Sequence, residues 1–162
     1  AEYAEAHSGV TYHDHDLSAG SSPLWQIPAE AAFPSATQNE IDGAAAQVMV
    51  DNGVICVSEG ANMPTELDGV HAFMNAKVIY GPSKASNAGG VAVSGLEQSQ
   101  NSLRISWSGD EVDARLKDII KSIHEKCVAY GDEGGGYINY VNGANIAGFV
   151  KVADAMVAYG AV

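Results

Sequence analysis

Polar side chains that could hold a ligand follow three short apolar runs of the sequence. They lie in segments 35–39 (Ser-Ala-Thr-Gln-Asn), 60–64 (Gly-Ala-Asn-Met-Pro) and 81–90 (Gly-Pro-Ser-Lys-Ala-Ser-Asn-Ala-Gly-Gly). Asn and Gln present a donor and an acceptor together, which suits a carboxamide or a pair of ribose hydroxyls. Glycine after a strand lets the backbone approach a ligand closely. If the apolar runs are parallel strands, all three segments lie at the edge of the sheet where ligands bind.

The asparagines in these segments also have a simpler interpretation. Asn39, Asn62 and Asn87 could each cap a helix, because Asn is among the residues preferred at that position. For any one of them alone, capping is the favoured interpretation. Three asparagines at one edge of one sheet favour a binding edge instead.

The sequence lacks the usual catalytic signatures. It contains no G-x-G-x-x-G after a strand, no Walker loop, no G-x-S-x-G elbow and no H-E-x-x-H. His124 falls within an amphipathic run and is interpreted as a surface or packing residue, and Lys84 as a solvated cation. The residues by themselves therefore predict half of a nucleotide site, without its phosphate loop or its catalyst.

A tract at residues 13–16 (His-Asp-His-Asp) resembles a metal site, since alternate residues of a strand project to one side. The tract lacks a third ligand at a recognisable spacing. We therefore expect it to hold no functional metal.

The apolar runs are too short for helices and predict strands; they occupy residues 31–34, 54–57 and 78–80. Helical candidates lie between them. Two pairs with capping-box spacing, Thr37 with Glu40 and Thr65 with Asp68, predict where those helices begin. This alternation predicts an α/β fold with a partial Rossmann-like parallel sheet of three strands and crossover helices.

Helices dominate the rest of the chain. A Gly- and Ala-rich start predicts a long helix over about residues 87–107. Ser108 and Glu111 then form a capping box before the clearest amphipathic helix, which ends near residue 131. A final helix is expected over about residues 145–160.

The formal charge of −12 is unevenly placed. Residues 1–76 contain eleven acidic and no basic side chains, whereas residues 77–162 contain nine acidic and all eight basic ones. An acidic surface repels phosphate backbones, which argues against nucleic acid as a partner. The first part also offers no Arg or Lys for the 2′-phosphate of a cofactor.

Other features bear on where the protein works. No apolar run is long enough to span a bilayer, so we expect no membrane partner. The cysteines, Cys56 and Cys127, are far apart and in no metal or redox spacing, which favours a reducing cytosol with both thiols buried. The first residue is Ala1 rather than Met, and we expect a fragment or a processed chain.

Four longer motifs stand at residues 35–42 (SATQNEID), 59–65 (EGANMPT), 87–97 (NAGGVAVSGLE) and 142–156 (NGANIAGFVKVADAM). Their order and spacing resemble those of hexameric glutamate dehydrogenases, and the likeness covers nearly the whole chain. The second and fourth motifs are most similar to the NADP-linked branch of that family.

The resemblance implies an enzyme that interconverts L-glutamate with 2-oxoglutarate and ammonia while hydride passes to or from a nicotinamide. It implies NADP as the cofactor, with NAD not excluded, and a cytoplasmic homo-oligomer, a hexamer in the parent enzyme. Residues 1–86 would be the second half of the dinucleotide-binding domain. Residues 87–162 would be a pivot helix and two C-terminal helices that pack towards the substrate domain.

The resemblance also implies site residues. Those binding the cofactor would be Thr37, Gln38, Asn62 and Asn87. Val91 would touch the aliphatic carbons of the substrate, and Ser94 would hydrogen-bond its distal carboxylate. No catalytic residue is expected in this chain, because the family's catalytic Lys and Asp, its substrate-binding lysines and its phosphate turn would lie upstream of Ala1.

Two hypotheses stay open at this point. The chain is either the C-terminal part of an NADP-dependent glutamate dehydrogenase or a stand-alone, non-catalytic nucleotide-binding or oligomerisation module derived from that enzyme. The mass of the native polypeptide discriminates between them.

We predict that these 162 residues alone will not oxidise glutamate. Proton transfer by a positioned side chain contributes about 10²–10⁴-fold to a rate, and the residue that would perform it is not in the chain. The measurement is cofactor-dependent glutamate oxidation by the purified chain. Turnover in the absence of any longer polypeptide would contradict the prediction.

Overall fold

The computed structural model describes residues 2–16 and 20–160. Its strands are β1 (Ala31–Ala32), β2 (Cys56–Ser58) and β3 (Ile79–Gly81). Its α-helices are α1 (Glu2–Ala6), α2 (Gly43–Asp51), α3 (Leu67–Asn75), α4 (Ser83–Ser86), α5 (Ala88–Leu103), α6 (Gly109–Gly131) and α7 (Tyr140–Tyr159). A 3₁₀ helix at Pro23–Gln26 precedes β1.

The three strands form one parallel sheet in the order β1-β2-β3. Ala31 is opposite Cys56 in the first pair of strands, and Val57 is opposite Tyr80 in the second. Helices α2 and α3 connect successive strands and pack on each other. The predicted α/β fold with three parallel strands is therefore confirmed, although each strand is shorter than, or displaced from, the apolar run that predicted it.

The hydrophobic core lies between the sheet and helices α2 and α3. Ile41, Val57 and Phe73 are fully buried, and the Phe73 ring stacks on Tyr80 of β3 with 5.5 Å between ring centroids. Burial of a large apolar side chain stabilises a fold by about 1.5–3 kcal/mol. The core thus binds both crossover helices to the strands that carry the edge loops.

Helix α2 begins differently from the prediction. Its N-cap is Asp42, whose Oδ1 accepts from Ala45 N at 2.8 Å, and this backbone hydrogen bond lowers the pKa of Asp42. Glu40 Oε1 instead accepts from the backbone N of Ala36 and of Thr37, upstream of the helix. The predicted Thr37–Glu40 capping box is therefore wrong.

The second predicted box is wrong as well. The N-cap of α3 is Glu66, which makes no side-chain capping bond, and the hydroxyl of Thr65 is buried without a partner that meets hydrogen-bond geometry among the described residues. Thr65 directly precedes this N-cap, so the predicted box is one residue out of register with the helix. The spacing of Thr65 and Asp68 matches a capping box in the sequence, but the residues do not form one in the structure.

Helices α5 to α7 follow the predicted order with shifted boundaries. The Ser108–Glu111 capping box is confirmed at the start of α6. Helix α5 ends before the predicted residue 107, because Arg104 takes a left-handed conformation with φ of 57°. Helix α7 begins at Tyr140 rather than near residue 145, since the Asn139 side chain accepts from Asn142 N at 3.0 Å and caps it.

Helix α7 packs closely on α6 and also contacts β3. Gly143 is buried in this contact, and a Cβ added to it would overlap the carbonyl oxygen of Cys127 on α6. Only glycine lets the two backbones approach this closely. Within residues 2–16 and 20–160, no helix is both long and apolar enough to cross a membrane.

We predict that Gly143→Ala destabilises the protein by about 1–3 kcal/mol, because the atom in the way belongs to the backbone of α6 and cannot rotate aside. Gly148→Ala is the matched control in the same helix, since its added Cβ would meet nothing within 4 Å. Replacing that glycine should be neutral or stabilise by up to about 1 kcal/mol. Chemical denaturation of both variants measures the difference, and equal midpoints would contradict the packing argument.

Candidate functional site

The first two loops at the carboxyl edge of the sheet are joined by backbone hydrogen bonds. Asn39 N donates to Met63 O, and Gly60 N donates to Pro34 O, both at 2.9 Å. Asn39 has a φ of 56°, a left-handed conformation that Asn tolerates better than most residues. The loop after β1 and the loop after β2 therefore form one connected surface, as their position after parallel strands predicts.

The loop after β2 is joined in turn to the segment after β3. Asn87 Nδ2 donates to Asn62 Oδ1 at 2.7 Å and to Ala61 O at 3.2 Å. Met63 N donates to the Ser83 hydroxyl at 3.3 Å. Two of the predicted cofactor residues, Asn62 and Asn87, are thus in direct contact although 25 positions separate them.

The capping interpretation is wrong for Asn39 and Asn62, and for Asn87 it holds for the position of the residue but not for its side chain. The N-caps of α2 and α3 are Asp42 and Glu66, not Asn39 or Asn62. Asn87 occupies the N-cap position of α5, but its side chain makes no capping bond and points instead to the loop after β2. The Asn87 side chain therefore belongs to the edge surface, although the residue itself stands at a helix terminus.

The Asn62–Asn87 pair leaves hydrogen-bonding capacity unused. Within the described part of the chain, no hydrogen bond engages the amide nitrogen of Asn62 or the amide oxygen of Asn87. The pair therefore keeps one unused donor, on the exposed Asn62, and one unused acceptor, on the half-buried Asn87. This donor set is complementary to a carboxamide, which carries one acceptor oxygen and one donor nitrogen.

The other predicted cofactor residues lie on the loop after β1. Thr37 and Gln38 are both exposed, and the backbone N of Thr37 is held by Glu40 Oε1 at 3.3 Å. Neither side chain contacts Asn62 or Asn87 through a hydrogen bond in the part of the chain described. The structure places the two residues on the same edge without bringing them to the amide pair.

The predicted substrate residues lie on α5, directly after Asn87. Val91 is 77% exposed and Ser94 is exposed as well. Spacings of four and three residues place Asn87, Val91 and Ser94 along one side of the helix. The surface beyond the amide pair is therefore an apolar side chain followed by a hydroxyl.

Lys84 does more than the predicted solvated cation. Its Nζ donates to Asn145 Oδ1 at 2.6 Å, which links α4 at the sheet edge to α7. The interpretation of Lys84 as merely solvated is wrong, although its side chain remains exposed. A partner 61 positions away gives no signal in the sequence around Lys84.

Glu59 is a site residue that the sequence analysis missed. It directly follows β2 and is buried, and its carboxylate accepts from the Tyr80 hydroxyl and from Ser83 N. Burial, with the Glu59 carboxylate beside it, raises the pKa of Tyr80. Glu59 is the first residue of the 59–65 motif, but it lies just outside the segment 60–64 in which ligand residues were expected.

A cavity of about 280 Å³ lies between the sheet and helices α6 and α7. Both cysteines line it, together with His124, whose ring stacks on Tyr140 with 5.8 Å between centroids. Cys127 is 2% exposed and burial raises the pKa of its thiol. Cys56 is only half-buried, so the expectation that both thiols are buried is wrong for Cys56.

The prediction for the His-Asp tract at residues 13–16 is not tested by the structure. Among residues 2–16 and 20–160, no group of three or more His, Cys, Asp or Glu side chains could hold a metal ion. His15 Nε2 lies 3.2 Å from Gly20 O, within hydrogen-bond distance. The expectation of no functional metal stays a prediction.

Comparison with known proteins identifies a family. The sequence profile of the Glutamate/Leucine/Phenylalanine/Valine dehydrogenases matches residues 1–160. A glutamate dehydrogenase of Bacteroides thetaiotaomicron is 55% identical over 99% of this chain and 35% of its own length. An NADP-specific glutamate dehydrogenase of Salmonella typhimurium is 52% identical over 100% of this chain and 34% of its own length. An NAD-specific glutamate dehydrogenase of Bacteroides fragilis is 49% identical over 100% of this chain and 35% of its own length.

Solved structures agree with the sequence comparison. A glutamate dehydrogenase of Plasmodium falciparum superimposes with a TM-score of 0.79 at 44% identity, covering 85% of this chain and 30% of that one. The chain thus spans about a third of the length of the curated relatives it matches. These comparisons confirm the resemblance drawn from the motifs.

We predict that Cys127 reacts at least about tenfold more slowly than Cys56 with an aromatic disulfide reagent at neutral pH. Cys127 is buried and its raised pKa leaves less of the reactive thiolate, so its labelling requires local opening. Cys56→Ser and Cys127→Ser each leave a single thiol whose labelling rate can be followed by absorbance. Equal rates in the two folded variants would contradict the difference in burial.

Proposed function

This chain belongs to the Glutamate/Leucine/Phenylalanine/Valine dehydrogenase family, and from that premise we propose that it forms the C-terminal part of an NADP-dependent glutamate dehydrogenase. The proposed reaction is the oxidative deamination of L-glutamate to 2-oxoglutarate and ammonia, together with its reverse. The activity is proposed for the whole protein, since the relatives are about three times as long as this chain. The observation that carries the proposal is the Asn62–Asn87 pair at the carboxyl edge of the sheet.

The proposed role of the pair is to bind the carboxamide of the nicotinamide. Its free donor and free acceptor match that group, and the ring would then lie over the start of α5. Thr37 and Gln38 are proposed to hold the attached ribose from the loop after β1, where both are exposed. When bound, the nicotinamide would supply the hydride acceptor that the side chains of this chain do not provide.

NADP is proposed as the cofactor, on the likeness of two motifs to the NADP-linked branch. The relatives include enzymes named NADP-specific and NAD-specific at similar identity. Residues 1–76 contain no Lys or Arg with which to hold a 2′-phosphate. Discrimination between the two cofactors is therefore assigned to residues outside this segment.

The substrate is proposed to lie along α5, beyond the amide pair. Val91 would contact the aliphatic carbons of glutamate, and its 77% exposure leaves an apolar surface free for that purpose. Ser94 would donate its hydroxyl to the distal carboxylate. A neutral donor orients the carboxylate without adding a charge, which leaves charge pairing to lysines in the remainder of the enzyme.

Residues 1–86 are proposed as the second half of the dinucleotide-binding domain and residues 87–162 as the pivot helix with two C-terminal helices. We propose further that the whole protein is a cytoplasmic homo-hexamer, as the family resemblance implies. Two free cysteines support a reducing compartment. Exposed apolar side chains on α7, among them Phe149 and Met156, support packing on a further part of the enzyme.

The proposal is tested by glutamate-dependent reduction of NADP in the full-length protein. Appearance of reduced cofactor with L-glutamate, and its consumption with 2-oxoglutarate and ammonia, is the expected result. Cofactor binding without either reaction would favour the non-catalytic nucleotide-binding module instead.

We predict that Ser94→Ala lowers kcat/KM for glutamate and for 2-oxoglutarate by about 10–150-fold. This corresponds to about 1.5–3 kcal/mol, the range for a hydrogen bond to a charged group. Cofactor affinity should hardly change, because Ser94 lies about two helical turns from Asn87. Steady-state kinetics with each substrate varied in turn provide the measurement.

Ser99→Ala is the matched control on the same helix. Its hydroxyl already donates to Gly95 O at 2.9 Å, and its position is rotated away from the Ser94 side. Its kinetic constants should stay close to wild type. Unchanged kcat/KM in Ser94→Ala, or a loss confined to the cofactor, would contradict the assignment and leave Ser94 as a small residue that permits helix packing.

A further inference from the structure

Glu59 is a buried carboxylate whose side-chain partners all lie on the next segment of the edge. It directly follows β2 and is 3% exposed. Its Oε1 accepts from the Tyr80 hydroxyl and its Oε2 accepts from Ser83 N at 2.7 Å. The Ser86 hydroxyl donates to the Glu59 carbonyl oxygen at 2.6 Å. These contacts join the first residue of the loop after β2 to the segment 80–86.

All three donors are neutral, so the contact is a hydrogen-bonded bridge rather than an ion pair. Burial and the neighbouring carboxylate raise the pKa of Tyr80, which keeps its phenol protonated and able to donate. Removing the carboxylate would leave buried donors on Tyr80 and Ser83 without partners. Unpaired buried donors are costly, so the loop and the segment would separate or admit water.

The bridge is continuous with the asparagine pair. Ser83, which donates to Glu59, also accepts from Met63 N, and Met63 follows Asn62 directly. Ser86, which donates to the Glu59 carbonyl, directly precedes Asn87. Asn62 and Asn87 are therefore each one residue away from a group that the bridge holds.

We propose that Glu59 is a positioning residue that holds Asn62 and Asn87 at the separation at which both can contact one nicotinamide carboxamide. The inference rests on the function proposed above and deepens its cofactor site. Glu59 itself is buried, so its side chain would not touch the cofactor. Its effect on the reaction passes entirely through the amide pair.

The first test is the kinetics of Glu59→Ala in the full-length protein. The KM for the nicotinamide cofactor should rise about tenfold, the effect of losing about one good hydrogen bond in the site, while the KM for glutamate changes less than about twofold. Glu59→Gln should restore most of the cofactor KM. Its amide oxygen can accept from Ser83 N while its nitrogen donates to the Tyr80 oxygen, so both contacts are kept although the Tyr80 proton loses its acceptor.

Tyr80→Phe serves if Glu59→Ala does not fold. It keeps the ring that stacks on Phe73 and removes only the hydroxyl that donates to Glu59. The cofactor KM should rise by a smaller factor, about two- to fivefold, with the same preference for cofactor over glutamate. A glutamate KM that rises as much as the cofactor KM would overturn the assignment.

Met49→Ala is the control for a loss of stability without a loss of positioning. Met49 is buried on α2, and its carbonyl accepts from Val54 N near the amino end of β2, at the opposite end of the sheet. This variant should lower the melting temperature while leaving the cofactor KM unchanged. A cofactor KM raised as much in Met49→Ala as in Glu59→Ala would mean that Glu59 acts only through stability.

A spectroscopic measurement separates this inference from the proposed activity. In wild type, the side-chain amide protons of Asn87 should exchange slowly, since Nδ2 donates to Asn62 Oδ1 and to Ala61 O. Glu59→Ala should accelerate that exchange, and Met49→Ala should not. Wild-type protein that fails to oxidise glutamate would refute the proposed function, whereas slow Asn87 exchange in Glu59→Ala would refute the positioning role.

Discussion

Parallel pairing of three short strands is the constraint on which the rest of the structure depends. Because β1, β2 and β3 run in one direction, the chain leaves every strand at the same edge and returns through α2 or α3 on its way to the next. Residues far apart in the sequence, such as Asn62 and Asn87, then come within 2.7 Å. The crossover helices cover the core that keeps the strands in register. The geometry of the edge therefore depends on the packing of Val57, Phe73 and Tyr80.

Parallel strands bring the loops to one edge, but polar bonds set how the loops meet. The loop after β2 is hydrogen-bonded to both neighbouring segments. It contacts the loop after β1 through Met63 O and the segment after β3 through Glu59 and Asn62. Among the described residues no cation pairs with the Glu59 carboxylate, and its burial is tolerated because both its oxygens are hydrogen-bonded. The middle loop therefore orders its two neighbours, and a change within it reaches both.

The sequence predicted those features that depend on local pattern. Three strands, their parallel order and helix α6 with its Ser108–Glu111 box follow from periodicity and capping chemistry. The Thr37–Glu40 spacing misled because Glu40 uses the same reach to hold the backbone N of Ala36 and Thr37 in a loop. Contacts such as Lys84 with Asn145 could not be predicted, since they depend on packing between distant segments. The sequence predicted that Asn62 and Asn87 lie at the same edge of the sheet, but not that they are in direct contact.

Helix α5 links the two groups of proposed ligand residues, and it is held differently from the sheet edge. None of its residues is buried, and it approaches α6 where Gly89 faces Leu116 and Ile120. Asn87 at its start is bonded to the loop after β2, whereas Val91 and Ser94 depend only on the direction of the helix. Changes that tilt α5 should therefore disturb the proposed substrate surface more than the cofactor pair. Changes at Glu59 should instead disturb the proposed cofactor pair more than the proposed substrate surface, because they loosen the loops at the sheet edge that precede α5. Asn87 therefore lies at the boundary between the proposed cofactor residues and the proposed substrate residues.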